Sequence, residues 1–390
     1  MLKAQFDHMI GQILSWSERM SDILFTVGKP VQAEIDGELQ DIPLKPDLGR
    51  LIPWHVECIA ACLMGKNLNL YKGLVQTGSC DLSYELRGKG RFRVNIFSQK
   101  GSLAVVMRKL PTDIPSVGQL QLPEIFREMA KEMYGLILVT GATGSGKSTS
   151  LAALINSINT SYSKHILTLE DPIEFVHGHE KGIVNQRELG MDFDKFATGL
   201  RAALRQAPQV ILVGEIRDRE TINIALEAAE TGHLVLGTLH TSDTSQTINR
   251  IIGMYESNEE RQIRGRLAES LKYIVSQRLM PAIGGGRVAA FEIMSKNIRI
   301  RELILNGEDV DRNFYNVLED GSSYGMITFD HYLLDLFKKE LVTEEIAMLN
   351  GSDKSKLGKM IDKVKAERGE RVTDIEGLEL DENYEQRNLL

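Results

Sequence analysis

Only three cysteines occur in 390 residues, and proline is scarce at ten. Cys58, Cys62 and Cys80 offer no second pair to complete a zinc site, and their odd count fits a reducing compartment better than a disulfide framework. Cys58 and Cys62 fall in the helical-looking run WHVECIAACLM, where small side chains serve packing. Low proline content argues against long structureless linkers. No apolar run approaches the ~18 residues of a bilayer span, and the first residues lack a basic segment leading into an apolar core and cleavage site. Neither a membrane span nor an export signal is expected, and the chain reads as cytoplasmic. A basic excess is also missing. The formal net charge of −8 disfavours a protein devoted to coating nucleic acid, although a local basic channel is compatible with it. The remainder is an ordinary globular composition, 42% apolar and 26% charged, in a chain long enough for two or three folded units.

Against this background one stretch stands out: Gly141-Ala142-Thr143-Gly144-Ser145-Gly146-Lys147-Ser148, followed by Thr149. It meets every fixed position of the phosphate-binding pattern. It also lies between the strand-like run 136–139 and the helix-like run 149–158. Such a strand delivers a glycine-rich turn whose backbone N–H groups surround a phosphate, and the helix adds its N-terminal dipole. In that arrangement Lys147 reaches the β- and γ-phosphates of ATP and the Ser148 hydroxyl faces Mg²⁺.

Residues 1–110 read as a small α/β unit with an antiparallel sheet. A first helix precedes runs at 22–27 and 31–35, the Asp36-Gly37 turn signal, a helix near 54–64, and strands at 79–86, 91–98 and 103–108. Residues 111–119, with Pro111 and Pro115, read as a linker. From 120 the pattern changes to buried strands alternating with helices. Strands are expected at 136–140, 165–169, 210–214, 234–239 and 287–293, in a parallel sheet covered on both faces. Residues 255–280 read as helical, and short helices, including 297–305 and 329–338, carry this unit to 350. Residues 351–390 read as a polar helix followed by a loose tail, with seven acidic residues and two arginines between 370 and 387.

Polar groups cluster at the expected strand ends. The run Val210-Ile211-Leu212-Val213 ends in Gly214-Glu215, which puts a lone carboxylate where a water-activating base would stand, with the glycine permitting close approach to nucleotide. Glu170, Asp171 and Glu174 follow the strand at 165–169 and suit water-mediated Mg²⁺ contact, a subunit boundary, or attachment of the neighbouring loop. His233 and His240 flank the strand at 234–239. Without a third ligand they do not make a zinc site, and one of them touching the γ-phosphate or Glu215 would report nucleotide state. Arg93 and Arg108 are candidates for neutralising charge in phosphoryl transfer, a role an adjacent subunit can also supply. Arg201, Arg205 and Arg217 are further candidates.

Taken together these segments resemble the secretion and type IV pilus ATPase superfamily, and within it the twitching-motility retraction branch of PilT and PilU. GATGSGKST at 141–149 matches the phosphate loop, LEDPIEF at 169–175 the acidic box, VILVGEIRDRET at 210–221 the atypical Walker B region, and TGHLVLGTLHT at 231–241 the histidine box. The resemblance implies a PAS-like N-terminal domain followed by a RecA-like ATPase domain with C-terminal helices, assembled as a homo-hexamer. It implies ATP and Mg²⁺ at Lys147 and Ser148, catalysis by Glu215, and nucleotide sensing by His233 and His240. SYELRGKGRFRVNIFSQKGSLAVVMRKLP at 83–111 resembles the segment that supplies arginines across the active site, here Arg93 and Arg108. A hexamer of this kind sits in the cytoplasm against an inner-membrane platform protein at the pilus base, promotes pilin removal, and works in some systems with a paralogous retraction ATPase. No tetracysteine element is present, which favours retraction over assembly. IRIRELILNG at 298–307 resembles the C-terminal helix motif of retraction motors, while SYGMITFDHYL at 323–333 leans toward the accessory PilU-like form. The competing readings are a non-hydrolysing nucleotide-dependent scaffold, which Glu215 opposes, and a nucleic-acid translocase, for which no recognition motif is present.

Overall fold

Two β-sheets, each with its own core, organise the chain. The computed structural model describes residues 2–111, 113–309 and 312–370. In the N-terminal unit, β1 (Met20–Thr26), β2 (Gln32–Ile35), β3 (Glu38–Asp41), β4 (Ser79–Leu86), β5 (Gly90–Gln99) and β6 (Ser102–Leu110) form an antiparallel sheet in the order β3-β2-β1-β6-β5-β4. Asp36 and Gly37 both take positive φ, 54° and 85°, the geometry a two-residue hairpin turn requires between β2 and β3. Alternate residues such as Leu82, Tyr84, Phe92, Val94 and Ile96 are buried with Phe6, Ile10 and Ile13 of the helix Lys3–Leu14 and Val56 and Ile59 of the helix Pro53–Met64. This is the period-two burial of a sheet with one covered face.

The second sheet contains β7 (Gly135–Thr140), β8 (His165–Glu170), β9 (Ile183–Glu188), β10 (Val210–Val213), β11 (Leu234–Leu239), β12 (Leu271–Pro281) and β13 (Arg287–Ser295), in the order β13-β12-β7-β11-β10-β8-β9. Every pairing is parallel except β12 with β13. Each position of β7, β10 and β11 is buried. Leu136, Leu138, Ile211 and Val213 pack on one side, and Ile137, Val139, Val210 and Leu212 on the other. Helices cover both faces, so these strands read as continuous apolar runs.

Two strands of this sheet differ from the sequence reading. Residues 255–280 do not form one helix: the helix Glu260–Ser270 ends where β12 begins. β12 lies between β7 and β13 and buries polar Ser276 and Gln277 alongside Ile274 and Val275, so its alternation is masked. A bulge at Leu271–Tyr273 sets its register on β7. β9 is a short edge strand of largely polar sequence, IVNQRE.

The C-terminal helices Phe314–Glu319, Phe329–Lys338, Glu344–Asn350 and Lys354–Glu367 follow β13. The last buries Leu357, Ile361 and Val364 with Phe329 and Leu333. Asp330, fully buried, accepts hydrogen bonds from the Tyr315 hydroxyl (2.8 Å) and from the backbone N–H groups of Ser352 (2.7 Å) and Asp353 (3.0 Å). Arg278 of β12 lies 3.8 Å from the centre of the Phe329 ring and donates to the Asn350 carbonyl. From 371 onward the expected acidic tail lies outside the described residues.

Candidate active site

The phosphate loop leaves β7 and enters the helix Lys147–Ser161 without an intervening residue after Gly146. Gly141 has φ 145°, and a Cβ there would stand 2.4 Å from the Gln277 carbonyl; at Gly146, φ 90°, it would stand 2.8 Å from Gln277 Nε2. The loop is pressed against β12, and only glycine fits at those two points. Gln277 is buried and accepts from the Ser150 hydroxyl at 2.9 Å, which steadies the first turns of the helix. Ala142, Thr143 and Gly144 form the exposed outer lip, and Thr149 is half-buried behind it.

Lys147 is folded onto its own loop, donating to the carbonyls of Gly141 (2.8 Å) and Ala142 (2.9 Å). Burial lowers its pKa, and the charges of Glu215 and Glu174 oppose that shift. The Ser145 hydroxyl is buried with no hydrogen-bond partner among the described residues. An orphan hydroxyl, a flexible ammonium and helix-terminal N–H groups converge here, and together they suit a polyphosphate. Among the described residues no three His, Cys, Asp or Glu side chains could hold a metal by themselves. Ser148 with phosphate oxygens and water would hold Mg²⁺, which favours such oxygen-rich, partly hydrated sites.

The acidic residues divide into distinct settings. Glu174 accepts from the Ser148 hydroxyl at 3.0 Å. Glu170 accepts from the Thr168 hydroxyl (2.6 Å) and Gln186 Nε2 (2.9 Å). Burial raises its pKa against those two bonds. It is therefore a braced group in the floor of the cleft. Asp171 is exposed at the mouth. Desolvation raises its pKa, and Arg217 and then Arg93 pull it back.

Glu215 follows β10 and Gly214. The glycine serves a different neighbour from the one expected: a Cβ on Gly214 would lie 2.8 Å from the Leu169 carbonyl and 3.2 Å from Glu170 Cα. It permits close approach of β8, whereas the sequence reading gave that role to nucleotide. Arg217 grips Glu215 through Nε (2.5 Å) and Nη2 (2.6 Å), and His240 Nε2 stands 3.3 Å away. Partial burial would raise the Glu215 carboxyl, but Arg217 and His240 outweigh it and hold the group below its ordinary value. The Thr238 hydroxyl donates to the Gly214 carbonyl at 2.5 Å, fixing this turn on β11.

The two histidines part company. His240 joins Glu215, but His233 precedes β11 at the opposite end of a six-residue strand, roughly 20 Å away. There its Nδ1 lies 3.0 Å from the Ala228 carbonyl. His233 therefore lies at the sheet edge opposite to the phosphate loop and Glu215. Arg93 and Arg108 are directly opposite each other on β5 and β6. Arg93 acts electrostatically on Asp171 of its own chain, and Arg108 pairs with Asp22 at 2.9 Å. Arg201 pairs with Glu220 at 2.8 Å.

Sequence reasoning missed Gln277, because its strand was read as helix, and His177. His177 is buried in the same cleft as Glu170, Glu174 and Ser148. Burial lowers its pKa to about 4, so the imidazole is neutral, and its Nδ1 has no partner among the described residues.

A protein-family profile described as Type II/IV secretion system protein matches residues 72–306. The type IV pilus retraction ATPase PilT of Pseudomonas aeruginosa is 42% identical over 351 residues, which cover 89% of this chain and 98% of the relative. The type IV pilus ATPase PilU of the same organism is 37% identical over 345 residues, covering 87% of each. A crystal structure of the pilus retraction motor PilT with bound ADP aligns with a TM-score of 0.79 at 43% identity, over 92% of this chain and 98% of that one. By that likeness the parallel sheet and its C-terminal helices form a RecA-like α/β unit.

Proposed function

The chain belongs to the Type II/IV secretion system protein family, on its PilT/PilU branch, and from that membership we propose that it is a Mg²⁺-dependent ATPase motor that powers type IV pilus retraction. One observation carries the reading. The phosphate loop and the Glu215–His240 pair stand at the same edge of one parallel sheet, where the carboxyl ends of β7, β10 and β11 converge. In this reading the loop N–H groups and Lys147 bind the phosphates, Lys147 exchanging its two carbonyl partners for them. Ser148, now bonded to Glu174, turns to the metal. Glu215 orients and deprotonates water once Arg217 releases it, and His240 positions Glu215. Bound Mg²⁺ would neutralise phosphate charge and align the reacting oxygens. Arg93 would add positive charge over the cleft from the N-terminal unit.

The remaining assignments belong to the same proposal. The N-terminal antiparallel sheet is read as PAS-like, the assembly as a homo-hexamer, and the partner as an inner-membrane platform protein at the pilus base, reached from the cytoplasm. Among the described residues no helix is long and apolar enough to cross a membrane. The higher identity to PilT than to PilU favours a principal motor over an accessory one. The test is Mg²⁺-dependent ATP turnover per subunit across a wide range of protein concentration. Turnover that rises cooperatively with concentration supports an oligomeric motor. Turnover absent throughout, and restored by a paralogous ATPase, would move the chain to the accessory role.

A further inference from the structure

Between the two sheets one carboxylate of the second collects donors from the first and from the acidic loop. Glu188, the last residue of β9, is 4% exposed. Its Oε2 accepts from the Ser83 hydroxyl of β4 (2.8 Å), from Arg91 Nη2 of β5 (2.7 Å) and from the backbone N–H of Ile173 (3.2 Å). Arg91 also donates through Nε to the Ile173 carbonyl at 3.2 Å, while its Nη1 lies 3.8 Å from Glu85. Both polar backbone groups of Ile173 are therefore held by the Arg91–Glu188 pair. Ile173 is the residue before Glu174, whose carboxylate meets the Ser148 hydroxyl. A buried, charge-assisted pair with several shared hydrogen bonds is geometrically specific, because neither charge tolerates loss of its partner.

We propose that Arg91 and Glu188 are positioning residues that couple the N-terminal unit to the metal side of the nucleotide site, by fixing the backbone of Ile173 and with it Glu174. The inference rests on the Mg–ATP reading above and adds a coupling to it. With the clip closed, Glu174 is held beside Ser148 and stays at the metal side of the site when that hydroxyl turns to the metal. When the N-terminal unit swings away, Arg91 leaves the Ile173 carbonyl and Glu188 loses its guanidinium, so the acidic loop keeps only the bond from the Ile173 N–H to Glu188, and the metal environment loosens. The phosphate loop, which makes none of these contacts, keeps its shape. The arrangement gives domain position a direct influence on metal retention.

Nucleotide binding to the full-length chain separates this role from general damage. A fluorescent ATP analogue would be titrated in EDTA and then across a Mg²⁺ series, with wild type, Arg91→Ala, Arg91→Lys, Glu188→Gln and the double variant Arg91→Ala/Glu188→Gln, each checked for folding by circular dichroism. Outer-shell partners of a metal site typically change its affinity by roughly tenfold or more. The expected result is a Mg²⁺ half-saturation raised about tenfold in Arg91→Ala, with EDTA affinity unchanged. Arg91→Lys should follow Arg91→Ala, since an ammonium cannot reproduce the fork, and the double variant should be no worse than either single one. Ser83→Ala removes one donor without stranding a charge and should shift the same quantity less, so the coupling stays measurable if the charge variants fold poorly. An unchanged Mg²⁺ half-saturation in folded variants, or an equal loss in EDTA, overturns the coupling. Wild-type binding with no Mg²⁺ dependence overturns the Mg–ATP reading itself, and the coupling with it.

Discussion

Arg217 occupies both carboxylate oxygens of Glu215, through Nε at 2.5 Å and Nη2 at 2.6 Å. The group assigned as base is thus charge-paired and a weakened proton acceptor in this conformation. Its pKa lies below the ordinary value because the guanidinium and His240 outweigh desolvation. A carboxyl depressed on folding adds stability that is complete above its unfolded pKa of about 4.3 and is lost as pH falls through the lower folded value. Arg217→Ala brings the folded pKa back toward the unfolded one, so that acid-side loss should shrink, while the acid limb of the turnover profile should move to higher pH because the base protonates sooner. Thermal melts and rates across pH 3–7 (approximate limits chosen to bracket an ordinary carboxyl) would check both.

Glu215→Gln keeps the shape of the side chain and removes its basicity. Turnover should fall by about 10²–10⁴-fold, the usual contribution of a positioned general base, while affinity for Mg–ATP changes little. Single-turnover kinetics with parallel binding measurements decide it. Unchanged turnover would return Glu215 to the status of a strand-end acid.

At Gly214 the geometry makes a discriminating case. A methyl group there would meet the Leu169 carbonyl at 2.8 Å and force β10 from β8. Gly214→Ala should lose about 1–3 kcal/mol of stability, the usual range for overpacking, measured by urea unfolding. Nucleotide affinity lost at full stability would instead support the glycine's role toward nucleotide.

Asp330→Ala strips three donors of their acceptor at once. Buried hydrogen bonds to a charged group contribute about 1.5–3 kcal/mol each, though not additively, so a loss of at least ~3 kcal/mol is expected. Limited proteolysis should cut first at residues 351–353, the turn that Asp330 anchors.

The legible part of this molecule was its local chemistry. Residues 141–149 are consecutive, and one strand and one helix suffice to aim them; the strands at 136–140, 210–214 and 234–239 announce themselves because full burial leaves them uniformly apolar. Features that depend on distant partners were hidden. Gln277 looks like a helix residue until β12 is seen passing behind Gly146, and Arg91 and Glu188 are separated by 97 positions. His233 and His240 look equivalent in sequence, yet the parallel strand between them carries them to opposite edges. Gly214 shows the subtler limit. A small residue was required there, but its sequence neighbours do not reveal which atoms crowd it.

β12 carries two adjacent residues with unrelated duties, Gln277 against the phosphate loop and Arg278 against Phe329 and Asn350. Side chains on a strand alternate faces, and the bulge at Leu271–Tyr273 counts one extra residue into this one. Deleting that residue would shift each side chain by one position: the Arg278 guanidinium would press on Gly146, and Leu279 would take the place over the Phe329 ring. Point changes along β12 can be absorbed one contact at a time. A change in its length by one residue would damage the nucleotide loop and the C-terminal helices together, so insertions and deletions should be barred from this strand far more strictly than substitutions.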